Sequence, residues 1–157
     1  MMISEPPLTK PLAQLNKLIP WIFAGVSLLG FTDAAYLTAN HYLGVSLKCY
    51  FVHGCDVVTN SPYAVIFGIP VALLGSFYYL TMFILSVYCL DTGNVKILRF
   101  TSILTATGFL ASIYFVALQL WVIKQLCFYC MISAVISTVL FIFGIIWLLA
   151  DAKSKRE

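Results

Sequence analysis

The chain has 157 residues, of which 62% are hydrophobic and only 10% charged. A soluble domain of this length is about half apolar and a quarter charged, so composition alone puts most of the chain in lipid. The net charge of +3, from nine basic and six acidic residues, is too small to point to nucleic acid and matters only through where those residues sit.

A helix needs about 20 mostly apolar residues to cross the hydrocarbon of a bilayer, and four stretches meet that requirement. The first covers about Leu18 to Ala39 and carries one acid, Asp33. Its basic flank, Lys10 and Lys17, also suits the start of a secretory signal. However, the apolar run is too long for one, and Asp33 and Tyr36 occupy the place of a small-residue cleavage site. An outward loop over 40–68 follows. The second span begins near Ile69 and ends near Leu90, after breaks at Asn60, Pro62, Gly68 and Pro70. The third covers Phe100 to Ile123 and the fourth Leu126 to Ala150. The expected architecture is a single all-α domain over 1–157, a four-helix membrane bundle without internal repeats.

Basic residues near helix ends set the orientation. Lys10, Lys17, Lys96, Arg99, Lys153, Lys155 and Arg156 fall on one side, and only Lys48 and Lys124 on the other. Both termini are therefore expected in the cytoplasm and the 40–68 loop outside.

This orientation sorts the five cysteines. Cys49 and Cys55 lie in the outward loop with five residues between them, and Cys127 and Cys130 open the fourth span from the same edge. Cys89 sits at the cytoplasmic end of the second span, out of disulfide range of the rest, and reads as a small apolar packing residue. The paired cysteines admit three chemistries. Two disulfides could staple a loop on a non-catalytic four-span scaffold, or four thiolates could hold zinc, which the five-residue gap suits poorly. The third is dithiol redox chemistry, for which Cys-x-x-Cys at a helix start is the strongest signature, because the helix N-terminus stabilises a thiolate. Lys124 either adds to that field or anchors the rim. With a rise of 1.5 Å per residue, Cys130 lies about 4.5 Å deeper than Cys127. Cys127 is then the sulfur a loop thiol reaches by exchange, and Cys130 faces an oxidant dissolved in lipid, most simply a quinone.

The cysteine order, the run "CDVVTNSPYAVIFGIP" from Cys55 to Pro70, "AYLT" from Ala35 to Thr38, and Cys127-Phe128-Tyr129-Cys130 together resemble the vitamin K epoxide reductase family, especially its bacterial members. The disulfide-bond formation protein B family runs a similar net reaction, but with its Cys-x-x-Cys in the first outward loop. The resemblance implies an active-site pair, Cys127 and Cys130, with Cys130 against a quinone of the ubiquinone or menaquinone type. It implies a shuttle pair, Cys49 and Cys55, that collects electrons from a secreted thioredoxin-fold protein and so supports disulfide formation at a bacterial inner membrane. Ser61, Tyr63 and Phe67 would lie by the quinone, on a short lid helix over Pro62 to Phe67. Ser61 before Pro62 is a good N-cap and N1 pair, so capping and quinone contact both remain open for it.

Two departures modify these expectations. Ala134 stands four residues after Cys130, where vertebrate members carry a tyrosine, which disfavours epoxide reduction. The chain also has no fused thioredoxin-like domain, so its partner is expected to be a separate protein. Of the remaining residues, Asp33 is either a proton route or an acid in a wet crevice. His53 either tunes Cys55 or is a solvated loop histidine. Tyr114 and Phe115 are candidates for an apolar pocket wall.

Overall fold

The computed structural model describes residues 9–44 and 55–156. Four of its helices are long and apolar enough to cross a membrane, the architecture expected from composition. In chain order they are α1 (Thr9–Leu43), α3 (Val71–Thr92), α4 (Val95–Ala117, continued by a π-helical segment, Leu118–Ile123) and α5 (Phe128–Ser154). Between α1 and α3 lie a short helix α2 (Cys55–Thr59), one 3₁₀ turn (Pro62–Ala64) and two short strands, β1 (Val65–Ile66) and β2 (Ile69–Pro70).

The helices overrun the apolar windows because helical hydrogen bonding does not stop where the hydrocarbon does. Helix α1 starts nine residues before Leu18, at Thr9, and tertiary contact explains the extension: the indole of the buried Trp147 on α5 donates to Asn16 Oδ1 at 2.7 Å. Pro20 sits inside α1 at no visible cost to its continuity, and the helix stops at Gly44, whose φ of 62° suits a left-handed terminator. Helix α4 starts at Val95, so Lys96 and Arg99 lie within it instead of in a loop before Phe100. The α3–α4 connection is only Gly93 and Asn94: Gly93, at φ 62°, returns its N–H to Cys89 O, and the Asn94 side chain accepts from Lys96 N at 3.0 Å.

Helix α1 packs on α3 and α5, and α4 on α5 and α3. Their shared core holds Phe23, Met82, Leu140 and Trp147, all fully buried, with Cys89 as a buried free thiol among them. At the end of the bundle where Arg99 and Lys155 lie, both pair with the buried Asp151 and so tie the start of α4 to the end of α5. Close approach of α4 and α5 depends on Gly144, where a Cβ would stand 2.6 Å from Thr105 Oγ1 and 3.0 Å from Ser102 O. Gly144→Val is expected to cost about 1–3 kcal/mol through overpacking. This would be read as a lower thermal midpoint of the detergent-purified protein, and an unchanged midpoint would show that the seam yields freely.

The lid helix expected over Pro62 to Phe67 is not formed. After the single 3₁₀ turn the chain makes a two-residue hairpin, with Val65 opposite Pro70 and Ile66 opposite Ile69. Phe67 and Gly68 form its turn at φ 51° and 80°. Two consecutive positive φ values are what the right-handed twist of a tight hairpin requires, and Gly68 together with the β-branched Val65, Ile66 and Ile69 favours that over a helix.

Candidate active site

The first turn of α5 is built on sulfur. Cys127 is its N-cap rather than its first helical residue, and its Sγ accepts from Cys130 N at 3.4 Å. A second N–H of this turn, Phe128 N, donates to Cys55 Sγ, also at 3.4 Å. A helix start leaves several N–H groups without intrahelical partners, and here two of them are met by sulfurs from the two ends of the sequence motif. Cys55 and Cys127 are 1% and 0% exposed and share a small apolar cluster with Leu37 and Val58. Cys55 is disulfide-bonded, whereas Cys127 and Cys130 are free thiols. Cys49 and His53 lie outside the described residues.

Cys127 is held below the ordinary thiol range, first by the hydrogen bond from the Cys130 thiol and then by the backbone N–H groups of Cys130 and Tyr129; burial and the Asp33 charge oppose this. Lys124 is exposed and takes no part; its backbone, at φ 53°, instead turns the chain out of the π-helical segment. The thiolate absorbance of Cys127 is therefore expected to persist at pH values where an ordinary thiol is protonated. Cys130→Ala should move its titration upward, because the largest stabilising contact is gone, and a titration that stays put would remove Cys130 as the cause.

Cys127 N donates to Gln119 Oε1 at 2.9 Å. Gln119 is buried in the π-helical segment, a kind of bulge found often at functional sites. Sequence reasoning passed over it, although it is an uncharged polar residue in an otherwise apolar run. Tyr36, from the "AYLT" run, packs on Tyr129 with ring centroids 5.2 Å apart, which joins α1 to the Cys-x-x-Cys turn.

A cavity of about 460 Å³ opens between the four long helices on the same side as the cysteines. Cys130, Ser133, Ala134 and Ser137 line it from one face of α5, at the i, i+3, i+4, i+7 spacing of a helix. Gly75, Gly108, Ala111 and Ala134 leave its width, and Leu37, Leu74, Phe115 and Tyr79 make it largely apolar. Size and lining suit a flat lipid-soluble ring with a few fixed polar contacts.

The structure brings the other expected residues together unevenly. Ser61 and Tyr63 line the cavity, Tyr63 from an exposed position. Ser61 does not cap the 3₁₀ turn: its Oγ donates backward to Val58 O at 2.7 Å, which occupies the hydroxyl in holding α2 to the turn. Phe67, fully exposed at the hairpin tip, is not part of the cavity wall, because its positive φ throws the side chain outward. Phe115 is part of the wall and Tyr114, half exposed, is not. Asp33 Oδ2 is buried with no hydrogen-bond partner among the described residues.

Free thiols held in this way at the edge of a four-span bundle put the chain among the membrane disulfide oxidoreductases. More narrowly, it belongs to the vitamin K epoxide reductase family, whose sequence profile matches residues 21–145. No curated relative matches the chain. Quinones are the redox partners of the family in general, and the shape and lining of the cavity here are consistent with one.

Proposed function

We propose that the protein oxidises the dithiol of a separate thioredoxin-fold partner outside the cytoplasm and passes the electrons to a membrane quinone, so generating disulfides for secreted proteins. One observation supports this most directly: a thiol of the Cys127/Cys130 pair stands on the wall of an apolar cavity while the sulfur of Cys55 meets the same helix turn.

The proposed path begins at the loop pair. With Cys55 only 1% exposed, the partner's thiol attacks at Cys49 and reduces the loop disulfide. The freed Cys55 thiolate then attacks Sγ of an oxidised Cys127, breaking the Cys127–Cys130 bond and leaving the electron pair on Cys130. Cys49 next attacks Cys55 and releases Cys127. A sulfur whose thiolate is stabilised leaves readily, and Cys127 is such a sulfur. The loop is then a disulfide and Cys127 and Cys130 are thiols, an outcome in keeping with a disulfide-bonded Cys55 and two free thiols at the start of α5. As the Cys127–Cys130 bond re-forms, the two thiols give up two electrons and two protons, which a quinone held beside Cys130 would accept.

Orientation with both termini cytoplasmic rests on the basic residues. On a scaffold stapled only by loop disulfides, a thiol pair beside a cavity would have no purpose. The test is reduction of decylubiquinone by purified protein supplied with a reduced thioredoxin-fold protein. Stoichiometric formation of hydroquinone and partner disulfide is expected. A protein that binds the partner yet leaves decylubiquinone oxidised would sink the proposal.

A further inference from the structure

Gln119 has two polar ends and the structure uses one of them. A backbone N–H can only donate, so the group facing Cys127 N at 2.9 Å must be the amide oxygen, and the NH2 group is directed elsewhere. That NH2 group has no partner among the described residues. Nor is it sealed away, since the side-chain atoms both buried and unpartnered there are Asp33 Oδ2, Tyr78 Oη and Ser102 Oγ. Gln119 is 3% exposed and lines the cavity, so what access its amide retains is to that cavity.

The other polar side chains around the cavity are mostly committed to the protein. Tyr79 Oη donates to Ser133 O at 2.9 Å with Ser133 Oγ at the same distance, and Ser112 and Ser137 pair with each other at 2.5 Å. Ser61 Oγ is spent on Val58 O. Tyr78 Oη, on a residue that also lines the cavity, has no partner among the described residues but is fully buried, so a ligand seated against Cys130 finds in Gln119 an inner donor that is both unspent and open to the cavity.

We propose that Gln119 is the hydrogen-bond donor to one carbonyl oxygen of the bound quinone, and that its other end ties that carbonyl to the backbone of Cys127. The inference rests on the quinone reading above. It makes Gln119 a residue that senses both halves of the reaction: a shift of the side chain toward the ligand pulls on the N–H of the cysteine that exchanges with the loop. It also selects for ligands with a carbonyl acceptor at that position over apolar rings of the same size.

Infrared difference spectra of carbonyl-labelled decylubiquinone bound to the purified full chain test this. In the wild type one carbonyl band should lie below its position in detergent alone. Gln119→Met should return it to the free position and weaken binding roughly five- to tenfold, the scale of one net hydrogen bond. Tyr114→Phe, outside the cavity wall, should leave the band where it is. A band unmoved by Gln119→Met, or moved by Tyr114→Phe instead, overturns the assignment. Wild-type protein that does not bind decylubiquinone at all would overturn the quinone reading and this inference with it. Should Gln119→Met fail to fold, wild-type protein with isotope-labelled glutamine side chains answers the same question by nuclear magnetic resonance. The signal assigned to Gln119, one of three glutamines with Gln14 and Gln125, must move on adding decylubiquinone, and a static signal refutes the contact.

Discussion

Cys130→Ser is expected to abolish decylubiquinone reduction, with a loss on the order of a thousandfold or more, as follows when a reacting group is removed. Cys130 is the sulfur on the cavity wall, and Cys127, fully buried behind it, is not among the lining residues. A serine keeps a hydroxyl that can hydrogen-bond to Cys127 Sγ, so the fold and the first turn of α5 should persist. What is lost is the ability to give up electrons. Cys127 then has no partner on its own helix, and its thiolate should attack the loop disulfide and remain joined to Cys55. Mass mapping of the non-reduced variant should find that Cys55–Cys127 link, whereas turnover at the wild-type rate would show that electrons leave by another route.

The second large effect concerns the loop pair and should be asymmetric. Cys55 is buried against the α5 turn, with its sulfur at the N–H of Phe128. Cys49→Ser leaves Cys55 with no loop partner, so a Cys55–Cys127 disulfide should accumulate. Cys55→Ser removes the sulfur that touches α5, so no comparable link should form, and partner-driven turnover should fall by on the order of a thousandfold. Equal trapping in both variants would mean that either loop cysteine reaches Cys127 and that the burial of Cys55 does not order the relay.

The amino-acid sequence by itself determined the solvent and the number of spans, and it set the expected sidedness of the cysteines. Each of these rests on a sum over many residues: 62% hydrophobic content, four long apolar runs and seven basic residues against two. It also marked Cys127 and Cys130 as a pair, because a spacing of three on a helix is a local property. Helix ends were less legible, since apolar windows report hydrocarbon and not hydrogen bonding; the extra turns of α1 depend on the Asn16–Trp147 contact across the bundle. The 62–67 segment read as a helix from its Ser-Pro start, but two residues in the left-handed region make it a hairpin and turn Phe67 away from the cavity. Only the tertiary structure decided where Cys55 lies and that Gln119 holds Cys127 across eight residues of chain. The physical reason is common to both. A polar group under lipid takes whichever partner the packing of several helices puts within hydrogen-bonding distance, and no local pattern records that choice.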